Sequence, residues 1–222
     1  MFRRQKKVDG AGKNFLIEVM EKIEAIIFDL GNVLLPFDWG IARKRMCERA
    51  GCSRRELEDY VITTPFLTQL ELGQLSAIQF FDIVARDLRF PGSREEFDEI
   101  WSDIFKPEEA MIRLSQSLKG HYRRFVLSNT IPQHIDFVFA RHPVFRDFDG
   151  HVFSYEAGLM KPDRRIYELT LQKFGIVAER AVFIDDLPAN VEAARAIGLH
   201  AIQHKDFTKT RGELTKLGVA PI

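Results

Sequence analysis

Two rhythms of apolar and polar positions divide the chain. Residues 25–33 open on an apolar run, Ala-Ile-Ile-Phe, that meets Asp29 and then a Gly-Asn pair, the pattern of a buried strand ending in a turn. From Trp39 to about Trp101 the spacing turns helical, with Ile41, Met46, Ala50, Leu57, Tyr60, Ile78, Phe81, Val84 and Leu88 on amphipathic faces. Breaks at Gly51-Cys52-Ser53, Thr63-Thr64-Pro65, Glu71-Leu72-Gly73-Gln74 and Phe90-Pro91-Gly92-Ser93 cut this stretch into about four short helices. Ser53, Ser76 and Ser93 are the expected N-caps, because a serine hydroxyl accepts from the free amides of a first turn.

Past Pro107 the rhythm alternates. Helices are predicted over 108–118, after Pro132, over 163–174 and over 188–197, and strands over 123–127, near Val152-Phe153, over 181–184 and over 200–203. Such alternation specifies an α/β fold, a doubly wound parallel sheet of Rossmann-like type, and the strand that carries Asp29 belongs to it. The helical stretch is then an insertion. The expected organisation is a flexible basic extension over 1–21, an α/β core over 22–37 and 104–222, and an all-helical insert over 38–103.

Composition narrows the partners. Of the 222 residues 45% are hydrophobic, enough to fill a core, and 32 basic residues balance 32 acidic ones. No global field favours nucleic acid or an anionic membrane, so a small ligand is expected and nucleic acid is not. No run is long and apolar enough to cross a bilayer, and residues 1–21 lack the apolar segment of a signal peptide, so a cytoplasmic protein without a membrane partner is expected. Cys47 and Cys52 lack a second pair of metal ligands nearby and read as free thiols.

A parallel sheet delivers every strand's C-terminal residues to one edge. Asp29 follows the first strand, Ser128-Asn129-Thr130 follow the strand over 123–127, Lys161-Pro162 precede a helix, and Asp185-Asp186 follow the strand over 181–184. Singly these are a turn former, a surface lysine and a strand-end carboxylate; together they suit a phosphoryl group. Asp29 is then the nucleophile, Ser128 and the amides beside it, Asn129 included, hold phosphoryl oxygens, and Lys161 offsets charge on both the phosphate and Asp29. Asp186 and Asp29 can hold Mg²⁺, a hard ion that takes oxygen ligands. Within the insert, the turn at Glu71–Gln74 is the candidate for reaching the site, with Glu71 as a substrate-binding residue; an ordinary surface turn is the competing assignment.

These residues, in this order, resemble the four motifs of the haloacid dehalogenase-like superfamily, over about residues 23–203. The resemblance implies a magnesium-dependent phosphatase that passes through an aspartyl-phosphate, with Asp29 as nucleophile, Ser128 as the phosphate-binding hydroxyl, Lys161 as the motif-three lysine and Asp186 as metal ligand. Asn190 falls where many members carry a further acid, and the insert matches the helical cap that closes over the site. Phe-Asp-Leu-Gly-Asn-Val and Phe-Ile-Asp-Asp-Leu-Pro-Ala-Asn-Val are similar to the branch of glucose 1-phosphate phosphatases and the phosphatase domains of soluble epoxide hydrolases. Gly31 departs from the family, since most members place their general acid there; its carbonyl remains a possible magnesium ligand. The expected activity is hydrolysis of a small phosphorylated metabolite, with a sugar phosphate favoured because an anomeric leaving group best tolerates a missing acid. A catalytically weak phosphate-binding or protein-interaction domain and a metal-independent dehalogenase stand as the alternatives.

Overall fold

The computed structural model describes residues 3–8 and 14–19 by their backbone and residues 22–220 in full. The two short spans are strands β1 (Arg3–Val8) and β2 (Asn14–Val19), paired antiparallel with Arg3 opposite Val19. The sequence reading did not predict these strands. Phe15, Ile17 and Val19 carry the period of two that a strand requires, a signal that the basic residues of the same stretch obscure in the sequence. The rest of 1–21 lies outside the described residues.

The central strand, β3 (Ala25–Phe28), is buried along its whole length. Ile26 and Phe28 face one core cluster and Ala25 and Ile27 the other, as a parallel strand covered by helices on both sides must. Five helices make up the insert that follows: α1 (Trp39–Ala50), α2 (Arg54–Thr63), α3 (Phe66–Glu71), α4 (Ala77–Leu88) and α5 (Arg94–Ser102). Ser53, Ser76 and Ser93 do cap α2, α4 and α5, each accepting from the third residue of its helix. The expected four helices become five because α3 is a six-residue helix that follows Pro65 without a side-chain cap, too short to show a period. These helices share a core of their own, built on Met46, Leu57, Phe80, Val84, Phe97 and Trp101, and Ile131, just before the helix over Pro132–Arg141, joins it.

The sheet then alternates with helices: α6 (Glu109–Ser117), β4 (Arg123–Ser128), α7 (Pro132–Arg141), β5 (Gly150–Phe153), α8 (Ser154–Ala157), α9 (Arg164–Phe174), β6 (Ala181–Asp185), α10 (Pro188–Ala196), β7 (His200–Gln203) and α11 (Phe207–Lys216). The strand order is β5-β4-β3-β6-β7, all parallel, so the chain winds one way from β3 to β5 and then returns to the other side of β3. That reversal opens a crevice between the C-terminal ends of β3 and β6, where open α/β sheets bind ligands. Helix α11, capped by Asp206 and anchored by buried Leu214, is another element the periodicity did not reveal; its ten residues bury only Thr210 and Leu214.

Candidate active site

Register brings the strand ends level. Phe28 pairs with Val126 on one side and Ile184 on the other, and the amide of Asp29 extends the ladder to the Ile184 carbonyl at 2.8 Å. Asp29, Ser128 and Asp185 therefore meet at one edge, although 156 positions separate the first from the last. Lys161 reaches them from the loop before α9, and its Nζ lies 2.7 Å from Asp29 Oδ1 and 2.7 Å from Asp185 Oδ2. Asn129 holds that loop: its Nδ2 donates to the Lys161 carbonyl at 2.9 Å while its Oδ1 accepts from the Lys161 amide at 2.8 Å. The Asn129 carboxamide is thus committed to Lys161, and its backbone amide is what it can offer a ligand. Ser128 Oγ makes only a 3.4 Å contact to the Asn129 carbonyl, leaving the hydroxyl available.

Three buried charges in contact shape one another. Burial alone would depress the Lys161 pKa, but Asp29 and Asp185 raise it above its ordinary value, so the ammonium stays charged. Asp29 is pushed up to about 6 by burial, with Lys161 opposing the shift and Asp185 adding to it. Its Oδ1 accepts from Lys161 and, at 2.7 Å, from the Leu30 amide, whereas no described donor reaches Oδ2. Asp185 is saturated: Oδ1 accepts from the Leu187 amide at 2.9 Å and Asn190 Nδ2 at 3.0 Å, and Oδ2 from Lys161 and from Asn190 at 3.1 Å. Asp186 accepts a single side-chain bond, from Asn32 Nδ2 at 3.1 Å to Oδ2.

Oxygen atoms of Asp29, Asp185 and Asp186 lie within 4.8 Å of one another, a hard-donor set that fits a magnesium ion. Asp185 is occupied by its own partners, which leaves Asp29 and Asp186 with free lone pairs. Gly31 adds another oxygen: its bridge to Leu35 is made by the Asn32 amide to Leu35 and the Leu35 amide to Leu30, so the Gly31 carbonyl accepts no hydrogen bond within the described residues.

Beside this cluster is a cavity of about 100 Å³ whose walls include Gly31, Phe37, Trp39, Glu71, Ser128 and His134. Glu71 thus lines the same space as Gly31 and Ser128, and the turn that carries it is held down on the sheet. Gly73 sits at φ +67°, and a Cβ there would lie 2.1 Å from the Tyr155 carbonyl in α8, an approach only glycine permits. Burial pushes the Glu71 carboxyl up to about 7. His134 is driven the other way, to about 4, so it is neutral at ordinary pH, with Nε2 3.3 Å from the Trp101 carbonyl. At Gly31 the backbone is not in the left-handed region, and a Cβ would meet only the tip of the Phe37 ring at 3.0 Å. Asp29, Ser128, Lys161, Asp186, Gly31 and Glu71 are all brought together. The sequence reading missed the Asn190 clamp on Asp185 and the contribution of Trp39 and His134 to the cavity wall; the Pro188 that starts α10 two residues before Asn190 was the available signal for the first.

Residues 23–198 match the family model described as haloacid dehalogenase-like hydrolase. The chain is 27% identical over 198 residues to the sesquiterpene phosphatase astK of Aspergillus oryzae, covering 87% of this chain and 96% of that protein. It is 25% identical over 205 residues to the D-ribitol-5-phosphate phosphatase of Bacteroides thetaiotaomicron, covering 87% and 97%. Among solved structures, a haloacid dehalogenase-family enzyme from Bacteroides thetaiotaomicron in complex with magnesium and inorganic phosphate superposes with a TM-score of 0.76 at 23% identity, over 82% of this chain and 94% of that one.

Proposed function

We propose that this chain, which belongs to the haloacid dehalogenase-like hydrolase family, is a magnesium-dependent phosphatase acting on a small phosphorylated metabolite through an aspartyl-phosphate intermediate. One observation carries the proposal. Lys161 grips Oδ1 of Asp29 while Oδ2 is left without a donor, at the edge where Ser128 Oγ is also free. A carboxylate held on one side and open on the other is oriented for in-line attack.

Asp29 Oδ2 attacks phosphorus opposite the leaving oxygen, while the Ser128 hydroxyl and the Asn129 amide hold equatorial oxygens. Lys161 offsets the charge that the phosphate and Asp29 share, which would otherwise repel. As the bond to Asp29 forms, the bond to the leaving alcohol breaks. Water then attacks phosphorus, returning the Asp29 carboxylate and free phosphate. Asp29, Asp186 and the Gly31 carbonyl would hold the magnesium ion, which would supply further charge compensation at the phosphoryl oxygens. Asp185 touches no substrate in this scheme; with Asn190 it positions Lys161.

The helices α1–α5 act as the cap, with Glu71, Phe37 and Trp39 facing the leaving group. A sugar or polyol phosphate suits these walls, since aromatic rings cover the C–H face of a sugar, and the ribitol-phosphate relative supports that class. A second substrate reading rests on a neighbouring cavity of about 240 Å³, walled by Trp39, Leu57, Val61, Leu67 and Trp101. Trp39 borders both cavities, so an ester with a hydrocarbon tail has an apolar place for it, in keeping with the sesquiterpene phosphatase relative.

The test is phosphate release from a panel of polyol phosphates, hexose 1-phosphates and an isoprenyl phosphate, with Mg²⁺ and with chelator. Mg²⁺-dependent turnover that vanishes in Asp29→Asn is expected. Wild-type turnover in that variant would remove the covalent mechanism, and a well-folded, Mg²⁺-bound wild type inert on every phosphate would favour the binding-domain alternative.

A further inference from the structure

We propose that Glu71 is the general acid and base of this enzyme, delivering from the helical insert the proton that most family members deliver from the position Gly31 occupies. The inference rests on the phosphatase reading above and goes beyond it by assigning the missing proton. Three observations carry it.

The first is placement. Glu71 lines the same cavity of about 100 Å³ as Gly31 and Ser128, so a phosphate on Ser128 puts its leaving oxygen into the space that Glu71 borders. His134 is the other titratable side chain on that wall, and it is neutral with Nε2 directed at the Trp101 carbonyl. Lys161 is held between Asp29 and Asp185, and the free oxygen of Asp29 is the one that attacks.

The second is the absence of any competing role. Glu71 has no hydrogen-bond or ion-pair partner among the described residues. A half-buried carboxyl without a partner costs some stability once ionised, so a neutral residue of the same shape would fold at least as well there. Helix α3 packs against α4, which carries Asp82, Arg86 and Asp87, and against α8, which carries Tyr155 and Glu156. None of these contributes to the Glu71 shift; burial alone raises it to about 7, where a carboxyl both donates and accepts near neutrality.

The third is rigidity. Two residues on, Gly73 lies against the Tyr155 carbonyl so closely that no other side chain fits, which fastens the Glu71 turn to the sheet domain. A proton donor must be held in place, and this contact holds it.

The proton account balances. As Asp29 displaces the alcohol, the electron pair of the breaking P–O bond goes to the leaving oxygen, which takes the proton of neutral Glu71. The resulting Glu71 carboxylate accepts a proton from the water that attacks the aspartyl-phosphate, and is neutral again when phosphate leaves.

The experiment compares Glu71→Gln with wild type on an alkyl phosphate and on an aryl phosphate of an acidic phenol, across pH 5 to 9, with thermal unfolding as the fold control. Glutamine keeps the shape and cannot transfer the proton. Expected is a loss of roughly 10²–10⁴-fold in kcat on the alkyl ester with KM little changed, a loss under about tenfold on the aryl ester, and disappearance of the wild-type decline in alkyl turnover above about pH 7. Adding Gly31→Asp to Glu71→Gln should recover part of the alkyl rate. Equal losses on both esters, or an unchanged alkyl rate, would overturn the role of Glu71. Those results differ from failure of the phosphatase reading itself, in which the wild type hydrolyses neither ester or Asp29→Asn remains active.

Discussion

Replacing Gly73 with alanine separates backbone strain from the docking of the insert onto the sheet. At φ +67° an alanine costs roughly 1–2 kcal/mol wherever it stands. Its Cβ would also lie 2.1 Å from the Tyr155 carbonyl oxygen, so the turn must retreat by about 1.3 Å to reach ordinary contact at 3.4 Å. Gly175, at φ +60°, is the control: a Cβ there meets nothing within 4 Å, and the residue precedes β6 on the edge of the sheet away from the site. Gly175→Ala should therefore lower stability by that strain alone, a few degrees in Tm for a chain of this size, with turnover unchanged. Gly73→Ala should lose comparable stability and in addition about 100-fold in turnover, because a displacement near 1 Å of a catalytic group costs about that much. Differential scanning calorimetry and steady-state kinetics on the two variants make the comparison. If Gly73→Ala keeps the activity of Gly175→Ala, the turn does not position Glu71 and the reasoning fails.

Three further outcomes are expected. Lys161→Ala leaves Asp29 and Asp185 buried without their cation and should cost about 3–5 kcal/mol at neutral pH, with part returned by millimolar Mg²⁺; denaturant titration with and without the metal checks both halves. Because the folded protein holds the Glu71 proton to about pH 7 against an ordinary 4.5, its penalty is absent below pH 4.5, grows as pH rises from 4.5 to 7, and is constant above that. Glu71→Gln should thus match wild-type stability at pH 4.5 and exceed it by up to about 3 kcal/mol at pH 8, and a difference that does not vary with pH would contradict the burial of that carboxyl. Gly31→Asp in an otherwise wild-type chain should fold, since only the Phe37 ring tip need yield, and should flatten the dependence of kcat on leaving-group acidity across a series of phosphate esters.

The strand ends were legible in the sequence because the code there is local. An apolar run of four or five residues closed by a polar one, as at Phe28-Asp29, Leu127-Ser128 and Ile184-Asp185, states both that the strand is buried and which residue emerges at its end. Parallel topology then obliges those ends to converge, and serine caps mark α2, α4 and α5 for an equally local reason, an unsatisfied amide three residues on. What one residue does for another far along the chain left no such mark. That Asn129 clamps the Lys161 backbone, that Asn190 helps to saturate Asp185 while Asp29 and Asp186 keep free lone pairs, and that Asp29 keeps one oxygen free are consequences of packing between segments that sequence order separates. Glu71 is the clearest case. The sequence placed it in a turn that could equally face solvent, and its partial burial and its place on the cavity that Gly31 also lines go with the close approach of Gly73 to Tyr155, a contact of backbone with backbone to which no side-chain pattern corresponds.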